Sequence, residues 1–201
     1  MAILALNGLF ELIKAKNLDY PNFYEKLYAL FDRNLMHVRY RSRFFRLVEI
    51  FLNSTHLPAN LVASFIKRMS RLTLTAPPSA IVIVVPLVYN LLKSHPSCTF
   101  MVHRERYDRD AARKEGYEDP FDTNEPDPMK TNAIESSLWE LVMLQGHYHP
   151  SVATLARIVS EQFTKESYKL EDFLDHSYAS VSVTPQRDPQ FELLFSKLRV
   201  Y

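Results

Sequence analysis

The chain has 201 residues, 47% of them hydrophobic and 23% charged, enough for one good-sized core or a stack of helical hairpins sharing a continuous one. The formal net charge of +1 hides a segregation: residues 33–71 carry eight Lys or Arg against the single acid Glu49, and residues 105–132 carry nine acids against five bases. Three scattered glycines (Gly8, Gly116, Gly146) exclude a glycine-rich phosphate loop and argue against an all-β fold, while a lone cysteine, Cys98, excludes an intrachain disulfide and fits a reducing compartment.

In chain order, residues 2–16 place Leu6, Leu9, Phe10 and Ile13 at helical spacing, and no secretory signal is expected in this stretch. Pro21 suits the first turn of a second helix, where its missing N–H would be unpaired anyway, with Phe23, Leu27, Leu30 and Phe31 inward. A third helix over residues 38–53 carries the stripe Phe44, Phe45, Val48, Phe51 and Leu52. At 100° per residue Arg39, Arg43 and Arg46 gather on the opposite side, whereas Arg41 projects toward the apolar side and needs a partner if buried.

Pro58 opens a fourth helix, over residues 58–75, with Leu61, Val62, Phe65, Met69 and Leu72 inward and Lys67, Arg68 and Arg71 together on the outer face. Residues 76–78 (APP) stop it. Residues 79–94 have strand-prone content in 81–85 but continue past Pro86 at helical spacing, so one helix is expected, bent at Pro86 and buried on most sides. The apolar run 80–92 is too short to span a bilayer.

The acid- and proline-rich residues 105–132 predict a flexible insertion loop. Asn132 as N-cap, with Glu135 three residues on, predicts a sixth helix over 133–145 that buries Ile134, Leu138, Leu141 and Val142. Pro150 opens a seventh, with Val152, Leu155, Ala156, Val159 and Phe163 on one stripe, and a short eighth covers 170–179. The expected architecture is all-α: antiparallel helix pairs stacked as a HEAT- or armadillo-like solenoid over residues 1–180, with 181–201 an irregular tail and a globular bundle as the alternative.

No nucleophile elbow or kinase signature occurs. Cys98 follows His95, but an ordinary small buried thiol explains it better than a Cys–His pair. His147 and His149 offer two metal ligands, with His176 or Glu140 as a third that nothing forces near. Helix C-terminal capping by His147 is the better reading. Glu135 with Glu140, and Asp172 with Asp175, are pairs that surface helices carry routinely. No catalytic, cofactor or metal residue is assigned. The basic faces, Arg39, Arg43, Arg46, Lys67, Arg68 and Arg71, are the candidate partner- or RNA-binding residues. Without stacking aromatics among them, any RNA contact would be to the backbone. Trp139 and most Phe and Tyr read as core, some as partner anchors.

Several segments together resemble a known family: residues 17–28 (NLDYPNFYEKLY), 41–47 (RSRFFRL), 54–59 (STHLPA), 65–71 (FIKRMSR) ahead of 76–78, 90–96 (NLLKSHP), 135–141 (ESSLWEL) and 147–150 (HYHP). In this order they resemble the C-terminal domain of the nucleolar complex protein four branch of the Noc family, which carries a CCAAT-binding-factor-type domain. The resemblance runs from about Leu4 to Tyr178. It implies a HEAT-like helical fold without enzymatic activity or cofactor. It further implies nucleolar work on the small ribosomal subunit within the pre-rRNA processing particle, and a stable complex with another assembly factor, nucleolar protein fourteen. Family members are much longer and do not resemble residues 181–201, so the resemblance reads this chain as a fragment or a shortened or alternatively ended product.

Overall fold

A computed structural model describes residues 22–103, 119–160 and 166–174, together with Ala5, Leu6, Gly8, Leu12 and Phe163. Among the described residues every regular element is helical and there is no strand. The bulk of the first predicted helix, Pro21, residues 104–118, the 175–179 end of the eighth helix and the tail all lie outside the described residues.

Helix α1 (Phe23–Ala29) starts after Asn22, whose φ of 55° is one that asparagine tolerates better than most residues. Leu27 and Tyr28 face the core, and Phe23 meets Phe51 edge to face at 4.8 Å. A 3-10 turn, Asn34–His37, follows. Asp32 holds it by accepting the Leu35 N–H at 2.8 Å. Helix α2 (Arg41–Leu52) buries Phe44, Phe45, Val48 and Leu52, the stripe its sequence spacing predicts, while Phe51 is half-buried. Arg41 is buried as expected and donates to the Ser79 hydroxyl at 2.8 Å.

Helix α3 (Ala59–Thr73) follows Pro58, and α4 (Pro78–Ser94) follows Pro77 with Pro78 at its first position. Every α4 residue from Ser79 to Leu92 is buried, Pro86 included, and the helix packs against both α2 and α3. That is why a β-branched run is helical here: buried apolar contact on all sides overrides strand propensity. Asn90, the polar interruption, accepts the Tyr168 N–H and donates to the Tyr168 carbonyl, both at 2.8 Å, so its amide clasps the later chain to the core.

After a 3-10 turn (Pro96–Thr99) comes α5 (Phe100–His103). Later come α6 (Trp139–Leu144), α7 (Pro150–Arg157), extended by the 3-10 turn Ile158–Ser160, and α8 (Glu171–Leu174). Helix α6 packs on α3 and on α7, and α7 packs on α4. The predicted α7 stripe is correct: Val152, Leu155, Ala156 and Val159 are buried and Phe163 half-buried.

Three expectations are corrected. The sixth predicted helix is shorter: a 3-10 turn at Ala133–Glu135 is followed by extended Ser136, and the α-helix begins only at Trp139. Hydrogen bonds to other elements pull this stretch out of helix, because the Leu138 N–H donates to the Met101 carbonyl at 2.9 Å and the Ser136 hydroxyl donates to Asp119. Asn132 adopts φ 56° and makes no side-chain cap. The rotated α6 leaves Val142 exposed (62%) rather than inward.

The second correction concerns residues 119–132, predicted as flexible. Phe121 and Thr131 are buried, the Asp122 N–H donates to the Thr131 carbonyl at 3.0 Å, and the Ser64 hydroxyl of α3 reaches the Pro128 carbonyl and the Thr131 hydroxyl, each at 2.5 Å. Asp122, Glu125 and Asp127 each accept the N–H two residues on, so the acids build a chain of tight turns.

The third is His147. Its backbone N–H closes the end of α6 on the Leu144 carbonyl, but its ring does not cap that helix. Nδ1 instead accepts the His149 N–H at 3.0 Å.

Candidate functional site

The six basic residues singled out from the sequence divide into two groups. Those on α3 do not share an outer face. Lys67 has no exposed surface: its ammonium lies 2.6 Å from Glu140 Oε1, 2.9 Å from Asp119 Oδ2 and 2.6 Å from the Ser137 carbonyl. Arg71 reaches the same two carboxylates at 2.6 and 2.7 Å, and both cations lie over the Trp139 ring, at 5.5 and 4.9 Å. Trp139 Nε1 and the Ser136 hydroxyl also donate to Asp119, at 2.9 and 2.5 Å.

Burial pushes the Asp119 carboxyl up, but hydrogen bonds from Ser136, Lys67 and Trp139 outweigh it and hold the group well below the usual carboxylate range. Burial also raises Glu140, and there Lys67 and Arg71 offset it only in part. Two cations and two carboxylates close on each other, so the cluster is a neutral staple joining α3, α6 and residue 119. Arg68 is likewise engaged: it stacks on Tyr28 at 4.5 Å and donates to the carbonyls of Phe31 (2.9 Å) and Thr123 (3.4 Å). Helical period alone cannot reveal that residues 119–132 return to cover this face.

The second group, at the start of α2, is exposed. Arg39 and Arg43 have no partner among the described residues, and Arg46 pairs with Glu171 of α8 at the surface. The nearby acids are occupied elsewhere: Asp32 accepts from Leu35 and Asn34, and Glu49, half-buried, accepts from Asn90.

The other candidates make no reactive constellation. Cys98 is buried, its thiol pushed up to about 11 by burial and directed at the Ala59 carbonyl, 3.6 Å away. The ring of His95 meets the Leu52 carbonyl at 2.8 Å and does not serve the thiol. Among the described residues no three His, Cys, Asp or Glu side chains gather around a metal position. No single helix among them is long and apolar enough to cross a membrane.

One surface was not foreseen. Met101, Leu138, Trp139, Leu141, Val142 and Val159 line a shallow apolar groove of about 180 Å³ between α5, α6 and the end of α7. Val142 and the neighbouring Phe100 and Met143 are large apolar side chains left in solvent. The only advance sign was the apolar pair Val142-Met143, which the sixth-helix reading turned partly inward.

This combination defines a class: a module helical throughout its described residues, whose buried charges serve packing and whose surface carries exposed arginines and an apolar groove. The chain belongs to the CBF/Mak21 family, whose model matches residues 2–156. It is 56% identical over 190 residues to Nucleolar complex protein 4 of Saccharomyces cerevisiae, covering 89% of this chain and 34% of that protein. It is 48% identical over 175 residues to the Nucleolar complex protein 4 homolog of Homo sapiens, covering 87% of this chain and 33% of that protein. An uncharacterized protein of Schizosaccharomyces pombe is 57% identical over 189 residues, 94% of this chain and 37% of its own length. The chain therefore spans about a third of the length of the curated relatives it matches. The names of these relatives place the chain among nucleolar proteins.

Proposed function

We propose that the chain is a non-catalytic scaffold module in ribosome biogenesis. It serves assembly of the small subunit within the pre-rRNA processing particle and holds a partner assembly factor, nucleolar protein fourteen. The observation that carries this reading is the 56% identity to Nucleolar complex protein 4 over nearly the whole chain. The helices support it as stacked HEAT-like pairs: α3–α4 and α6–α7 lie side by side, α3 against α6 and α4 against α7, and α2 continues the stack on α4. Such stacks present long surfaces suited to binding proteins. The groove edge at Phe100, Val142 and Met143 is the partner-facing surface in this reading.

The test is titration of purified nucleolar protein fourteen against the chain by calorimetry. A stable complex is expected, weakened about tenfold or more by Val142→Asp with Met143→Asp, as removal of a central anchor would do. A well-folded chain that forms no complex overturns the reading. Full affinity in the double variant moves the partner to another face.

A further inference from the structure

We propose that the exposed arginines opening α2, Arg39 and Arg43, with Arg33 before them, bind the phosphodiester backbone of RNA. The inference does not rest on the protein-partner reading and concerns a different face of the molecule. Residues 33–53 contain five arginines and one acid. Structure removes Arg41, buried against Ser79, and Arg46, paired with Glu171. Arg33, Arg39 and Arg43 remain solvent-exposed, with no partner among the described residues.

The two acids nearest them in sequence are engaged elsewhere. Asp32 secures the turn at Asn34–His37, and Glu49 is held by Asn90 on α4. The first turn of α2 holds no acidic residue and no side-chain cap, although Arg41 and Arg43 are there. Cations at that end oppose the helix dipole, so helix stability does not explain Arg43. Lys67 and Arg71 of α3 point the same way by contrast: these two packed cations meet carboxylates at 2.6–2.9 Å, and Arg33, Arg39 and Arg43 meet none among the described residues.

The chemistry favoured is a polyanion of regularly spaced charges read without sequence. Guanidinium forks suit phosphate oxygens. Among the described residues of this face no exposed Phe, Tyr or Trp is available to stack on a base, since Tyr40 is only half-exposed. An acidic protein segment is the competing occupant. Of the large apolar side chains left in solvent among the described residues, Ile50 alone lies on α2, and the others lie on other parts of the chain.

The test is fluorescence anisotropy with the full chain and a labelled uridine oligomer roughly 20 nucleotides long, longer than common single-strand site sizes, between about 50 and 200 mM salt. Arg39→Gln with Arg43→Gln is compared with Arg157→Gln, an exposed arginine at the end of α7. Thermal melts verify folding of each variant. The double variant is expected to bind about tenfold more weakly at the lower salt, its log–log salt slope shallower by roughly 1.4, or 0.7 per lost cation. Arg157→Gln is expected to match the unaltered chain. Absence of salt-dependent binding, or an equal loss in Arg157→Gln, overturns the proposal. Poly-glutamate displacing the oligomer at equal charge concentration also overturns it, because the face then takes acidic protein. Binding of nucleolar protein fourteen by the same double variant is expected to be unchanged, so failure here and failure of the scaffold reading are separable.

Discussion

At the scale of single residues, Lys67 is a cation with no exposed surface. A fully buried ammonium is tolerated only when paired, and this one meets Glu140, Asp119 and the Ser137 carbonyl. Lys67→Met removes the central cation and leaves two carboxylates sharing Arg71. The expected loss is about 3–5 kcal/mol by urea denaturation, against less than about 0.5 kcal/mol for Arg43→Gln at the surface. Equal small losses would mean that the cluster is not a staple. Asp119 gives the same site a pH signature. Its folded carboxyl lies below the unfolded value of about 3.9, so its contribution is complete above that value and drains away as pH falls toward the folded pKa. Glu140 is raised and acts in the opposite sense, favouring the folded state when protonated. Asp119→Asn is therefore expected to flatten the decline in stability below about pH 4, read as urea midpoints from neutral pH downward. A decline parallel to the unaltered chain would assign the titration elsewhere. Cys98, with its thiol raised to about 11 and enclosed, is expected to resist alkylation at mildly basic pH until the chain unfolds. Rapid labelling of the native protein would show that this region opens locally.

At the scale of elements, the starts of helices were legible because proline's fixed φ and missing N–H fit the first turn: Pro58 and Pro150 adjoin or mark two helix starts as expected, and Pro78, read only as a stop, opens α4. The apolar stripes of α2 and α7 were legible because one face of each meets the core. The turn at Asn34–His37 was not, since it depends on one local bond from Leu35 to Asp32 rather than on any period. Nor was the break before α6, where Asn132 and Glu135 imitate a capping box while bonds to Met101 and Asp119 direct the chain otherwise. The outer face assigned to α3 failed for a related reason: a helix has a solvent face only if nothing returns to cover it. The rotation of α6 has a direct consequence. Leu141→Ala at 1% exposure should cost about 2–5 kcal/mol, whereas Val142→Ser should change stability by less than about 0.5 kcal/mol. Urea midpoints in the reverse order would restore the face that periodicity assigned.

At the scale of the whole molecule, residues 119–132 decide whether this is a row of helices with a loop or a cooperative unit. The stretch has the composition of a linker, yet its contacts are those of a core element. Asp119 ties it to α3 and to Trp139, Phe121 is buried, and the Pro128 carbonyl and Thr131 hydroxyl meet Ser64 of α3. Replacing residues 119–132 by a glycine–serine segment of equal length separates the two views. Loop-closure entropy is nearly unchanged at constant length, so a true linker would leave the unfolding midpoint where it was. If the stretch is structural, the replacement strips Lys67 and Arg71 of one carboxylate, about 3–5 kcal/mol, and removes the buried Phe121, about 3–5 kcal/mol more. Together these approach the roughly 5–15 kcal/mol that holds a domain folded. The expected outcome is loss of the cooperative urea transition, with far-ultraviolet circular dichroism retaining helical signal, because α3 and α4 keep their mutual contact while the α6–α7 pair is left with only its direct contacts to them. An unchanged midpoint would mean that the direct contacts of α3 with α6 and of α4 with α7 suffice to join the two pairs.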